Sequence, residues 1–190
     1  MPSGITTLPP DSRSGDAGPG GSALDANAPL AAAVGSFSLS RALLEAVLAD
    51  RLSDRFVCEL IWPRLGYRPA AAPSTATASS TWIAGFATPT EWAEAFPEAP
   101  ELIATRPASV RLTRSIPAPH KQLLKEQLGF GGYRIGELYP RRTRRATAVN
   151  WLLAHLAERG EALPDIGPLP PLLEPPLDPV QGHPGDLPVG

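Results

Sequence analysis

The 190-residue chain has a single cysteine, Cys58. That excludes an intramolecular disulfide and any zinc site built on cysteines, and it fits a reducing compartment. No run of about 18 apolar residues occurs, so no membrane-spanning helix is expected. The start lacks a basic stretch followed by an apolar one, so no secretory signal is read. Asp11, Asp16 and Asp25 against Arg13 argue against an organelle transit peptide, and the expected location is cytoplasmic. His120, His155 and His183 are scattered, and none sits at a metal-ligand or triad spacing to an acid. Gly129, Gly131 and Gly132 have the wrong spacing for a dinucleotide fingerprint. No catalytic residue, metal ligand or cofactor is assigned on these grounds.

Proline and glycine, by contrast, are abundant. The 24 Pro and 17 Gly exceed the usual combined share of about 12%. Nine of the prolines fall in residues 161–190. Residues 1–36 are Gly, Pro, Ala, Ser and Asp with almost no large apolar side chains, and are read as a disordered tail. Residues 161–190, with PxxP spacings, are read as a second, acidic, extended and mobile tail. One folded domain is expected between them, residues 37–160.

Within that domain, Leu39, Leu43, Leu44, Val47 and Leu48 recur at helical spacing behind a Ser38 or Ser40 cap. Ser53 or Asp54 caps a second stripe of Phe56, Val57, Leu60, Ile61 and Leu65, stopped by Gly66. The pair reads as a helical hairpin. Ala70–Ser80 reads as a flexible loop and Thr81–Phe86 as a short strand. Pro89–Ala95 and Pro97–Thr105 read as short helical turns. The alternation in Ser109–Ser115 predicts a strand. Pro117 or Pro119 opens a helix through Leu128, stopped by Gly129, and Tyr133–Leu138 reads as a second strand. A long helix from about Arg142 to Glu158 turns Val149, Leu152, Leu153 and Leu156 inward. The expected fold class is α+β, mainly helical: a helical hairpin, a small sheet, a long C-terminal helix, and disordered tails at both ends.

Charge is laid out unevenly. Net charge is −2 overall, yet residues 103–160 carry +8 and residues 161–190 carry −5. The densest point is Arg141-Arg142-Thr143-Arg144-Arg145, at the start of the long helix. Cations at a helix N-terminus oppose the macrodipole by ~0.3–1 kcal/mol each when exposed. Four arginines there need an offset, from carboxylates of the same chain or from an outside anion. Fifteen of the seventeen basic residues are Arg, which suits bidentate contacts, although GC-rich codon usage has the same effect. The competing reading pairs the cluster internally with Glu91, Glu94, Glu98 and Glu101. Leu128-Gly129-Phe130-Gly131-Gly132-Tyr133-Arg134 mixes glycines, aromatics and a cation in the manner of an RNA-recognition strand, but a helix C-cap followed by a tight turn explains it better.

Several blocks together resemble a known family. They are Leu112-Thr113-Arg114-Ser115-Ile116-Pro117, Lys121 through Phe130, Gly132-Tyr133, Pro140 through Thr147, and Asn150-Trp151-Leu152-Leu153. Val57-Cys58, Leu65-Gly66-Tyr67 and Arg106-Pro107 add to the resemblance. These blocks resemble the DUF1823 family over roughly residues 38–157. The resemblance implies a cyanobacterial or plastid setting and brings no reaction, cofactor or site residue with it.

The expected function is a non-enzymatic module that binds an anionic macromolecule, RNA ahead of DNA. Its basic face would comprise Arg106, Arg111, Arg114, Ser115, Lys121, Lys125, Arg134, Arg141, Arg142, Arg144 and Arg145. The acidic tail would compete for that face. A second reading is an assembly or regulatory factor that contacts an acidic protein surface in the photosynthetic apparatus. A third is an enzyme on a phosphorylated or carboxylated small molecule, with Arg114, Ser115 and the arginine cluster as an anion clamp; it lacks an evident general base.

Overall fold

The computed structural model describes residues 37–70 and 81–190. The readings of residues 1–36 as a tail and of 71–80 as a flexible loop lie outside them.

Six α-helices and one two-stranded sheet make up the regular structure of the described residues. Helix α1 spans Arg41–Leu48 and α2 spans Asp54–Ile61. Their caps are Ser40 and Ser53, whose hydroxyls accept from the amides of Leu43 and Phe56. The turn between them puts Asp50 at φ 59°, a conformation that L side chains other than Asn and Asp rarely tolerate. A 3₁₀ turn, Trp62–Leu65, follows α2 and ends at Gly66 with φ 88°. A Cβ on Gly66 would lie 2.4 Å from the backbone carbon of Ala87, so close approach as well as conformation demands glycine.

Strand β1, Tyr67–Pro69, pairs antiparallel with β2, Trp82–Ala84, in the register Tyr67 to Ala84 and Pro69 to Trp82. Helix α3 covers Thr90–Ala95, α4 Arg106–Ser115, and α5 Leu123–Leu128, with a 3₁₀ turn at Ala118–His120. Helix α6, Pro140–Glu158, is the longest. It runs through the middle of the domain and packs on α1, α2, α4 and α5. Its buried side chains Ala148, Val149, Leu152, Leu153 and Leu156 meet Leu43, Leu44 and Val47 of α1, Val57 and Leu60 of α2, and Leu112 of α4 in one core.

The mainly helical α+β class, the hairpin and the long last helix are as the sequence indicates. Four local readings need correction. Ser109–Ser115 is helical, because Ala108, Leu112 and Ile116 recur every four residues and bury together, while Val110 is left 37% exposed. The alternation of Val110 and Leu112 is too short to separate a period of 2 from one of 3.6. Tyr133–Leu138 is not a strand: among the described residues no strand lies beside it, Gly132 and Gly136 have positive φ, and Ile135 is 98% exposed. Pro97–Thr105 is irregular apart from one turn. Its backbone joins the edge of β2 through Ala84 N–H to Pro97 O (2.8 Å) and Ala99 N–H to Trp82 O (2.9 Å). The expected helix from Pro117 or Pro119 is split into the 3₁₀ turn and α5.

The segment 161–190 has no helix or strand, as its prolines dictate. It is, however, laid along the domain rather than free of it. Arg41 N–H and Ala42 N–H, two of the donors that α1 cannot satisfy itself, donate to Pro164 O (2.8 Å) and Asp165 O (3.1 Å). Leu173 N–H donates to Arg51 O, and Gly190 N–H to Ala104 O. Asp165 bonds Arg41 at 3.0 Å.

Candidate anion-binding site

The arginine run at the head of α6 divides into buried and surface members. Arg141 is 0% and Arg145 1% exposed. They stand four residues apart, on the stripe that continues through Ala148, Val149 and Leu152, so they enter the core with it. Arg141 donates from Nη1 to both oxygens of Asp50 (2.8 and 2.7 Å), from Nε to Asp54 (2.7 Å) and from Nη2 to Asp186 (3.0 Å). Arg145 bonds Asp54 Oδ1 and donates to Val47 O and Leu52 O at 3.0 and 2.8 Å. These two arginines are therefore not part of a surface anion site, contrary to the sequence reading.

The offset that the helix N-terminus required comes from within the chain, but not from the glutamates expected to supply it. Asp50 and Asp54 of the α1–α2 corner and Asp186 supply it instead. Glu101 bonds Arg55 at 2.8 Å, and Glu91 lies 4.0 Å from Arg111. Burial pushes the Asp54 carboxyl up against the pull of Arg145 and Arg141. The carboxylates hold the Arg141 guanidinium firmly charged against the desolvation of its burial.

Arg144 is half-buried. It donates to the carbonyls of Ile103 (2.8 Å), Ala104 (2.7 Å) and Gly190 (2.7 Å), which ties α6 to the α4 approach and to the last residue. Arg142 is half-buried between the rings of Tyr133 and Tyr139, 5.7 Å from each centroid. Arg111 donates to Glu91 O (2.9 Å) and lies 5.9 Å from the rings of Trp92 and Phe96. Ser115 is spoken for structurally: its hydroxyl donates to Leu112 O and accepts from Trp151 Nε1 at 3.0 Å. Arg106, Arg114, Lys121, Lys125 and Arg134 are exposed.

Part of this exposed set is gathered around one concavity. A groove of about 440 Å³ lies between α4, α5 and α6. Its lining includes Ile116, Leu124 and Ala146, the side chains of Thr113, Lys121, Lys125 and Thr147, and the Phe130-Gly131-Gly132 loop. Asn150 anchors it, accepting from Leu124 N–H (2.9 Å) and donating to His120 O (3.1 Å), which fastens α5 and the turn before it to α6. Gly129, at φ 64°, caps α5 as the C-cap reading expects and swings Phe130 to the groove, 5.0 Å edge-on to Tyr133. A second hollow of about 320 Å³, lined by Arg111, Arg114, Ser115 and Glu91, lies on the other side of α4. Among the described residues no carboxylate or imidazole lines the main groove. Among them, too, no three His, Cys, Asp or Glu side chains stand together as a metal site, and no helix is long and apolar enough to cross a membrane.

Residues 38–157 match the family model DUF1823, a domain of unknown function. The chain belongs to the DUF1823 family. No curated protein matches. A solved structure, determined by solution NMR, is 48% identical with a TM-score of 0.52; the similarity covers 65% of this chain and 98% of that one. The DUF1823 match holds both the groove and Asp50, Asp54, Arg141 and Arg145; Asp186 lies beyond it.

Thr147 and Asn150 are groove residues that the sequence reading did not single out for binding, while Phe130 was weighed there only within the glycine–aromatic segment. The signal that the two arginines are buried was present: 141 and 145 share the helical stripe of 148, 149 and 152.

Proposed function

We propose that this DUF1823 domain is a non-enzymatic module that binds nucleic acid, RNA ahead of DNA, in the groove between α4, α5 and α6. The observation that carries the proposal is the pairing of two exposed lysines, Lys121 and Lys125, with Phe130 and an apolar floor in one concavity. Lysines on a groove edge track phosphates, and an aromatic face stacks a base at ~1–3 kcal/mol. Arg114 on the adjoining hollow and the exposed Arg106 and Arg134 extend the positive field. A lining without carboxylate or imidazole lacks the commonest general bases, which favours binding over acid–base catalysis. The same cations suit the acidic surface of a protein, and that reading is the main alternative outcome.

Titration of fluorescent RNA and DNA oligonucleotides at several salt concentrations tests the proposal. Binding should weaken steeply with salt, and Lys121→Glu with Lys125→Glu should abolish it. Neutral Gln replacements should flatten the slope of log K against log salt by roughly 0.7 for each single-strand phosphate that is no longer neutralised. Salt-independent binding, or full binding by the double Glu variant, would refute the proposal. Recovery of a protein complex that survives nuclease would move the assignment to the protein-surface reading.

A further inference from the structure

Asp186 is an acceptor enclosed by donors. Its Oδ1 accepts from the Asp54 backbone N–H at the start of α2 (2.7 Å). Its Oδ2 accepts from Arg141 Nη2 (3.0 Å) and from the His183 N–H (2.8 Å). The side chain is 0% exposed. The loop that presents it is shaped for the purpose: Gly182 N–H bonds Asp178 O, Asp186 N–H bonds His183 O, and Gly182 has φ 84°. A Cβ on Gly182 would stand 2.5 Å from Asp186 Oδ2 and 2.6 Å from Arg141 Nε. His183 is 6% exposed, its two ring nitrogens have no hydrogen-bond partner among the described residues, and Nδ1 lies 3.4 Å from Asp186 Oδ2.

The donors and the acceptor have different standing in the chain. Asp54 and Arg141 lie inside the family match, while Asp186 lies outside it. We infer that the domain carries a carboxylate-binding site at the head of α2, made by the Asp54 amide and Arg141, and that this chain fills the site in cis with its own Asp186. With the loop away, a helix N-terminal amide and one arm of a buried guanidinium lose their acceptor, and an outside carboxylate takes the place. The ligand class follows from charge. Arg141 and Arg145 face Asp50 and Asp54, so the cluster is neutral without Asp186; a monoanion adds one negative charge, held by the helix N-terminal amide and the free arm of Arg141, whereas a phosphate dianion would set two against the same carboxylates.

The test uses the full chain, ¹⁵N-labelled, and reads the Asp54 amide resonance and the melting temperature. Asp186→Ala should shift the Asp54 amide upfield. A synthetic peptide of residues 178–190, or acetate at higher concentration, should restore the resonance and raise the melting temperature. Wild type should bind the peptide roughly tenfold or more weakly, because a tethered competitor acts at an effective concentration of millimolar order. Inorganic phosphate at pH 7.5 should do less than acetate. Asp186→Asn and Gly182→Ala give the same readout, should the first variant fail to fold: one keeps the shape and removes the charge, the other displaces the loop and keeps the carboxylate. An Asp54 amide unmoved by these variants, no response of the variants to peptide or acetate, or an equal response in wild type would each overturn the inference. Preference for phosphate would overturn the assigned ligand class.

Discussion

Arg145→Met is the sharpest test of how the head of α6 is built. Methionine approximates the aliphatic part of the side chain and removes a guanidinium that is 1% exposed. Removing one partner of a buried pair costs ~3–5 kcal/mol, because the other is left charged and unsolvated. Asp54 is that partner here, and it keeps only Arg141. The Leu52 carbonyl also loses its donor, at ~1–3 kcal/mol for a buried acceptor left unsatisfied, whereas Val47 O keeps the Asp50 N–H at 3.1 Å. These costs overlap, so ~4–5 kcal/mol is the expected loss, against a total of ~5–15 kcal/mol for a domain of ordinary stability. In urea melts followed by circular dichroism, with a slope of ~2 kcal/mol/M, the midpoint should fall by ~2 M. Arg142→Ala, which acts on two tyrosine rings rather than on that cluster, should cost no more than ~1 kcal/mol. Adding Asp54→Asn to Arg145→Met should recover part of the loss, since the stranded carboxylate is the costly species. A midpoint shift below ~0.5 M for Arg145→Met would refute the reasoning, because it would mean that water or an alternative partner reaches Asp54.

Further expectations concern groups away from that cluster. Cys58 is fully buried, its sulfur accepts from Leu102 N–H (3.3 Å), and burial pushes its thiol well up, with Glu101 adding to the push; a thiol reagent should label it only at the rate of domain opening, and fast labelling of native protein would contradict that. Burial, with Arg64 and Arg159 adding to it, holds the His155 imidazole below its ordinary 6.5, so the folded state binds fewer protons than the unfolded chain. Stability should therefore fall as pH drops from 6.5 through the folded value, and His155→Gln should flatten that limb of the curve measured by urea melts. Gly66→Ala meets the Ala87–Thr88 backbone at 2.4–2.5 Å with φ at 88°, and should cost more than ~2 kcal/mol in the same assay, where a neutral result would show that the β1 turn relaxes.

Elements whose stabilising pattern is local were legible in the chain alone. The caps to within a choice of two residues each (Ser38 or Ser40, Ser53 or Asp54), the stripes of α1 and α2, the Gly66 and Gly129 stops and the inward face of α6 could all be read, because a helix answers to neighbours three and four residues away. The class of fold and the concentration of positive charge in residues 103–160 were equally legible. The rest came from packing. Leu112 belongs to a helix because Ala108 and Ile116 find the core beside α6, a choice that seven alternating residues do not encode. β1 exists because Trp82–Ala84 lies beside it in space. The arginines of α6 were visible as a cluster, and the helical stripe marks 141 and 145 as inward, but their partners were not visible: Arg141 and Arg145 are held there by Asp50, Asp54 and Asp186, 45 to 91 residues distant. Lys121 and Lys125 stay in water because Asn150 pins α5 to α6 with its charged face outward. A charge gains its meaning from what it is brought against, and that pairing depends on distance through space, which a linear chain does not record.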